Sequence, residues 1–345
     1  MPPNPLTADL DHILAHTEGL WEELRGQRVF ITGGTGFFGC WLLESFAWAN
    51  TKLNLKAQAV VLSRDSQAFS CKAPHLFSNS AIMFQRGDVR DFQFPTGSFS
   101  HVIHAASETS GKLNAKNPLA ILDTIVAGTR HTLDFAVASG AKKFLLTSSG
   151  AVYGKQPSGL THISEEYGGS PDPADPASAY GEGKRLAEML CTLYHQQHGL
   201  EIKVARCFAF VGPYLPLDSQ FAVSNFIRDA LRGDVIQVNG DGTPYRSYLY
   251  AADLAIWLWT ILFRGTPCRP YNVGSSEGHP IGEVAQQVAD IIGNGRVQIA
   301  RPSSNRPPLR YVPDVRRAGA ELELQVWLDL SAGVQRTAVF QKGKC

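Results

Sequence analysis

The chain has 345 residues, 44% of them hydrophobic, and its 32 lysines and arginines nearly balance its 31 aspartates and glutamates. That length exceeds one average domain and supplies an ample core, so one large or two interleaved domains are expected. The balanced charge gives no footprint for nucleic acid or a membrane surface, and leaves only local clusters of cations to bind small anions.

The six cysteines (Cys40, Cys71, Cys191, Cys207, Cys268, Cys345) show no spacing of the metal or redox kind. Most sit in apolar runs, as expected of a protein in a reducing, cytoplasmic setting. The opening "MPPNPLTADLDHILAH" has acids and prolines without an apolar core, so it does not read as a signal peptide. The longest apolar run, "LAIWLWTILF", is too short to cross a bilayer, and a soluble protein with no membrane partner is expected.

In residues 8–25 the spacing of Leu10, Ile13, Leu14, Trp21 and Leu24 predicts an amphipathic helix ahead of the main fold. "RVFIT" then reads as a strand, and the turn in "TGGTGFFG" leads into the helix "FFGCWLLESFAWAN". Gly33, Gly34, Gly36 and Gly39 let the backbone turn tightly and let a pyrophosphate touch its amides, while the helix N-terminus adds partial positive charge. The second strand, "AQAVVLS", runs into Ser63, Arg64 and Asp65. An NAD site usually places an acid at this point for the ribose 2′-hydroxyl, whereas an NADP site needs a cation and hydroxyl donors for the 2′-phosphate. Ser63 and Arg64 ahead of the acid favour NADP. The alternative is NAD, with Arg64 stacked on adenine and Asp65 reaching back to the ribose.

Strands "AIMFQ" and "HVIHAA" follow. His101 and His104 lie three apart on the latter with no third ligand spaced to join them, so no metal site is expected. The next residues, "SETS", leave the sheet at its C-terminal edge, where Ser107 or Thr109 is placed to touch a substrate. A helix is predicted over 118–139, and the strand "KFLLTS" delivers Ser149 at its end, in "SSGAVYG". On the helix predicted over 178–198, Tyr180 and Lys184 are four residues apart and share one face. A lysine ammonium near a phenol lowers its pKa, which suits tyrosine to proton exchange near neutral pH. "IKVARCF" is the sixth strand, and beyond Arg206 the elements shorten and become rich in glycine and proline.

Continuous apolar strands separated by helices imply a parallel sheet covered on both faces. The fold class expected is α/β, a doubly wound Rossmann-type sheet with a smaller mixed α/β C-terminal substrate lobe. The divisions expected are an N-terminal helix (1–25), a dinucleotide-binding domain (26–205), the lobe (206–330) and a weakly ordered tail (331–345).

The pieces "TGGTGFFG", "GDVRD", "VIHAAS", "SSGAVYG", "YGEGK", "RCFAFVGP" and "GDGTPYRSYLYAADL" together resemble an extended short-chain dehydrogenase/reductase of the nucleotide-sugar epimerase/dehydratase family. The likeness covers about residues 26 to 330. It implies Tyr180 as acid/base, Lys184 holding the nicotinamide ribose, and Ser149 on the reacting sugar hydroxyl. It implies further cofactor contacts from Gly33, Gly36, Phe37, Phe38, Gly39, Asp88, Val89, Ala105 and Ala106. Substrate contacts would come from Thr109, Ser149, Asn225, Arg246 and Arg310, the two arginines being suited to a pyrophosphate by their bidentate guanidinium groups. A homodimer through two long helices is implied by the same likeness.

Two departures narrow the reaction. The 4,6-dehydratases of the family carry an Asp-Glu pair directly after the hydroxyl residue, and its nucleotide-sugar decarboxylases keep the glutamate. Here the two places hold Gly150 and Ala151, which cannot transfer protons. The family's Arg-x-Phe-Asn is here Arg206-Cys207-Phe208-Ala209, without the amide near the ligand. The expected activity is therefore epimerisation of a nucleotide-diphosphate sugar, most simply at C4, through a transient keto sugar. The alternatives are an NADPH-dependent 4-ketoreductase, then a 4,6-dehydratase, and last a non-catalytic cofactor sensor.

Overall fold

The computed structural model describes residues 4–107, 117–219, 221–293, 295–302 and 307–343. A seven-stranded sheet is built from β1 (Arg28–Thr32), β2 (Gln58–Ser63), β3 (Ile82–Arg86), β4 (His101–His104), β5 (Lys143–Ser149), β6 (Glu201–Cys207) and β7 (Pro270–Val273). The strands are all parallel and lie in the order β7-β6-β5-β4-β1-β2-β3. The chain winds outward in both directions from β1 and β4, so the crevice of this α/β fold opens at their C-terminal ends.

Successive strand residues face opposite sides, and both sides are apolar. Val29, Ile31, Val61 and Leu145 belong to one core, whereas Phe30, Val60, Phe144 and Leu146 belong to the other. Helices α1 (Thr7–His16), α2 (Phe37–Lys52) and α3 (Ser66–Lys72) precede the two longest, α4 (Pro118–Ala138) and α5 (Ala179–His198). After β6 come α6 (Ala222–Arg232), α7 (Ala251–Arg264), α8 (Ile281–Ile292) and α9 (Leu330–Lys342). Helix α7 contains the longest apolar run and is buried from Ala251 to Phe263 as a core helix. Among the described residues no helix is long and apolar enough to cross a membrane.

The register explains how β5 serves a site. Its pairing with β4 ends at His104↔Leu146, while Thr147, Ser148 and Ser149 continue alongside Ala205, Arg206 and Cys207 of β6. The end of β5 therefore stands proud of β4, with its hydroxyl residues at the rim of the crevice.

Three expectations about domain layout are corrected. The helix expected over 8–25 stops at His16, and a separate 3₁₀ turn covers Leu20–Leu24. The break falls at Gly19, whose φ of 77° suits glycine and ends helical geometry. Both pieces are built into the core through Leu10, Ile13, Trp21 and Leu24. The tail is not weakly ordered over its length: Asp329 caps α9 by accepting from Ala332 N, and Val334, Thr337 and Phe340 are buried. Its small residues hid it, because Gly333 packs so closely on Val211 that a Cβ would lie 2.8 Å from that side chain. Asp9 of α1 pairs with Arg336 of α9 and accepts from the Tyr250 hydroxyl, joining the two ends of the chain. Finally, a division at residue 206 does not separate two bodies, since β7 returns to pair with β6.

The remaining chain forms a smaller α/β lobe. Helices α6 and α8 pack beside a parallel pair, Ile236–Val238 with Val297–Ile299, and a three-strand set joins His279–Pro280, Tyr245–Arg246 and Arg310–Tyr311.

Candidate active site

The glycine turn after β1 leaves space that side chains would fill. Gly33 has φ 70°, and a Cβ on it would lie 2.5 Å from the backbone of Ala105. Gly36 is the N-cap of α2 and offers no side chain to its first-turn amides. Open amides at a helix N-terminus beside a side-chain-free turn fit the pyrophosphate of a dinucleotide. Phe37 and Phe38 form the first turn of α2, and Phe38 meets Phe210 edge-on with centroids 5.0 Å apart. Across the crevice, Ala105 and Ala106 follow β4, and Ala106 N donates to Thr32 Oγ1 at 3.2 Å.

At the end of β2, Ser63 is buried while Arg64 and Asp65 are exposed. Asp65 is engaged as the N-cap of α3, accepting from Ala68 N at 3.1 Å. Asp88 binds Arg90 at 2.8 Å, and this contact, helped by the charge of Arg64, holds its carboxyl below the usual range. Val89 is a packing residue against α4, where a Cβ on Gly128 would meet it at 2.7 Å.

Ser149, Tyr180 and Lys184 come together where β5 meets the start of α5. Lys184 Nζ donates to the Thr147 carbonyl at 2.8 Å and lies 5.9 Å from the centroid of the Tyr180 ring. Burial lowers the Lys184 ammonium to about 8. Tyr180 is partly open to the crevice, yet the packing around its phenol pushes it up, against a downward pull from the Ser149 and Ser107 hydroxyls. A polar network supports this floor. Ser148 donates to Glu188 of α5, which receives Arg206 of β6 at 2.7 Å, and Arg206 also donates to the Tyr153 hydroxyl at 2.9 Å.

The histidines of β4 are both buried. His104 sits between Thr32 Oγ1 (2.8 Å) and Thr129 Oγ1 (3.1 Å), and burial drops it to about 3, so it is neutral. His101 lies near Glu23 and is lowered to about 4, chiefly by burial. Among the described residues no group of three or more His, Cys, Asp or Glu could hold a metal ion.

The residues expected to hold substrate are spread more widely. Thr109 lies outside the described residues. Asn225 on α6 accepts from Arg228 Nη1 at 3.0 Å and lines a cleft of about 600 Å³ with Asp229, Gln237 and Pro244. Arg246 pairs in register with Tyr311, and Arg310 with Tyr245. Strand alternation thus puts the two arginines on opposite faces of this small sheet. Arg310 stacks on Tyr245 at 3.9 Å, while Arg246 lies 5.8 Å from the centroid of the Tyr311 ring. The expectation that both arginines meet at one phosphate pair is corrected to this extent.

Sequence reasoning passed over Tyr311, although it adjoins Arg310 in "PPLRYVPD". Its ring lies on Phe208 with centroids 4.7 Å apart, and its hydroxyl would lie 2.7 Å from a Cβ on Gly150. A tyrosine beside a segment already matched to the substrate lobe was the only available signal.

The family model described as "NAD dependent epimerase/dehydratase family" matches residues 29–274. The chain is 31% identical over 312 residues to UDP-glucuronic acid decarboxylase 1 of Xenopus tropicalis, covering 90% of this chain and 71% of that one. It is 32% identical over 310 residues to UDP-glucuronic acid decarboxylase 6 of Arabidopsis thaliana, covering 89% and 86%. Among solved structures, the UDP-glucuronic acid 4-epimerase of Bacillus cereus, in complex with UDP-glucuronic acid and NAD, superposes with a TM-score of 0.77. The likeness covers 92% of this chain and 100% of that one at 21% identity, and so concerns the fold. The strand-turn-helix cradle, the parallel sheet and these sequence matches agree: the chain belongs to the NAD-dependent epimerase/dehydratase family, whose members are enzymes acting on nucleotide sugars.

Proposed function

We propose that the protein epimerises a nucleotide-diphosphate sugar at C4 through a transient keto sugar. The observation that carries this reading is the convergence of Ser149, Tyr180 and Lys184 beside Gly150 and Ala151, a proton-transfer centre whose serine is not followed in sequence by a carboxylate. Tyr180 takes the proton of the sugar hydroxyl as hydride leaves the carbon, and gives it back after the keto sugar has turned over. Ser149 hydrogen bonds the same oxygen, and the Lys184 charge favours the phenolate. A bound nicotinamide supplies the hydride acceptance and return. We assign the diphosphate to Arg246, which shares a face with Tyr311 and carries a bidentate guanidinium.

Tyr180→Phe tests the assignment. It should keep the fold and lose turnover by about a hundredfold or more, the usual scale for an acid/base group. Near-normal turnover would remove Tyr180 from the chemistry.

The decarboxylase relatives favour a second reading, loss of carbon dioxide from a nucleotide glucuronate. Oxidation at C4 alone labilises that carboxylate, but Ala151 leaves the carbon-5 position without the acid that its decarboxylase counterpart would offer. An NADPH-dependent 4-ketoreductase would use the same Ser-Tyr-Lys set. For the cofactor we favour NADP over NAD, because Arg64 follows the buried Ser63 while Asp65 is occupied capping α3.

We propose that the dinucleotide lies on residues 26–205, whose sheet β7 completes, and the sugar nucleotide against the rest of residues 206–330. A homodimer through α4 and α5 is proposed from the exposed Leu186, Met189 and Leu193 along one side of α5. Light scattering of Met189→Asp against the parent protein tests it. A cytoplasmic setting is proposed from the cysteines, which show no paired spacing and sit mostly in apolar runs.

A further inference from the structure

The glycine turn after β1 is held by a cation from α3. Lys72 is the last residue of that helix, and its Nζ donates to the Thr35 carbonyl, in the middle of the turn, at 3.0 Å. Strands β1 and β2 are parallel neighbours in register at Thr32↔Leu62, so the turn and the Ser63-Arg64 segment leave the sheet side by side. Helix α3 starts at Ser66 and brings the chain from Arg64 back to the turn within its seven residues. We propose that Lys72 is a second cation, beside Arg64, for the 2′-phosphate of NADP, and that it raises the preference of the site for NADP over NAD. This inference rests on the reading of Ser63 and Arg64 as an NADP site.

Lys72 is half-buried, and among the described residues it pairs with no carboxylate. The acids around it are committed elsewhere. Asp65 caps α3 through Ala68 N, and Asp88 pairs with Arg90. Glu44 is taken by His75 at 2.7 Å and by the Tyr214 hydroxyl, and it is the Tyr214 ring whose centroid lies 5.8 Å from Lys72 Nζ. An ammonium has three protons to donate, and the Thr35 carbonyl takes one. A half-buried cation with protons to spare and no carboxylate partner suits an anionic ligand.

The flank of the turn on which Lys72 lies selects the anion. In this fold the pyrophosphate rests on the N-terminal amides of α2, and the adenosine ribose turns toward the end of the second strand. The sheet order β4-β1-β2 puts Ala105 and Ala106 on one flank of the turn, and Arg64 with α3 on the other. Lys72 comes from the β2 flank, where NAD offers an uncharged 2′-hydroxyl and NADP a phosphate. A charge placed there distinguishes the two cofactors, whereas a charge on the pyrophosphate would serve both alike.

The experiment measures NADPH and NADH binding by nucleotide fluorescence for the parent protein, Lys72→Gln, Lys72→Glu and Lys72→Arg. Glutamine keeps a donor for the Thr35 carbonyl and removes the charge. It should weaken NADPH about five- to tenfold and leave NADH within about twofold. Lys72→Glu should weaken NADPH about fiftyfold or more, because it sets a carboxylate against the phosphate, while Lys72→Arg should stay within about threefold of the parent for both. Equal losses of NADPH and NADH in Lys72→Gln would make the lysine a brace of the turn, and unchanged binding of both would leave it no role in the cofactor site; either result overturns the inference. Arg64→Ala is measured in parallel. Selective loss of NADPH there, beside an unselective Lys72→Gln, sinks only the role of Lys72. A parent that binds NADH as tightly as NADPH, with no selective loss in Arg64→Ala, removes the NADP reading itself and the role of Lys72 with it.

Discussion

Lys184 Nζ donates to the Thr147 carbonyl at 2.8 Å, which pins the helix carrying Tyr180 to the strand carrying Ser149. The bond uses one ammonium proton and fixes the charge beside the Tyr180 ring, but it does not repay burial, which lowers Lys184 to about 8. Below that pH the supporting charge is present, and above it the charge is lost. Turnover should therefore decline along an alkaline limb near pH 8. Lys184→Arg, whose guanidinium stays charged, should move the limb upward even if overall activity drops. A parent profile flat to about pH 10 would show that Lys184 titrates elsewhere.

Arg64 offers a second test. If it holds a 2′-phosphate, Arg64→Ala should weaken NADP by about tenfold or more and leave NAD within about threefold, since only NADP loses a charge-assisted contact. Binding measured by nucleotide fluorescence gives both values. Equal losses would mean that the guanidinium stacks on adenine, and NAD would become the favoured cofactor.

His104 makes stability depend on acid. Its folded form resists protonation until about pH 3, against an ordinary value of 6.5. The unfolded chain therefore binds a proton first as pH falls, and stability should decrease through that window. Urea unfolding between about pH 4.5 and 7 should show a shallower slope for His104→Gln than for the parent. His101, lowered to about 4, keeps part of the slope in the variant. Identical slopes would contradict a neutral, buried His104.

Much of the frame was legible because its signals are local. The strands around Phe30, Val61 and Leu145 are apolar on both faces, and the positive φ at Gly33 could be expected from a strand-turn-helix sequence. Tyr180 and Lys184 share a helix, so their proximity followed from spacing alone. What was not legible depends on distant chain segments. The approach of Tyr311 to Gly150 joins residues far apart in sequence, and the split of Arg246 from Arg310 arises from the alternation of strands only two residues long. Helix α9 was missed because Gly333 and Thr337 carry its close packing without an apolar pattern.

Product analysis from a nucleotide sugar deuterated at C4 decides whether the enzyme epimerises, the UDP-glucose and UDP-glucuronate forms being supplied with NAD and NADP in turn. Hydride removed from C4 and returned to the same carbon predicts a product of unchanged mass that keeps its deuterium at C4 with inverted configuration. Loss of carbon dioxide with the label retained would convert the reading to decarboxylation. Loss of water with the label moved to C6 would restore a dehydratase despite Gly150 and Ala151, and would rule out epimerisation.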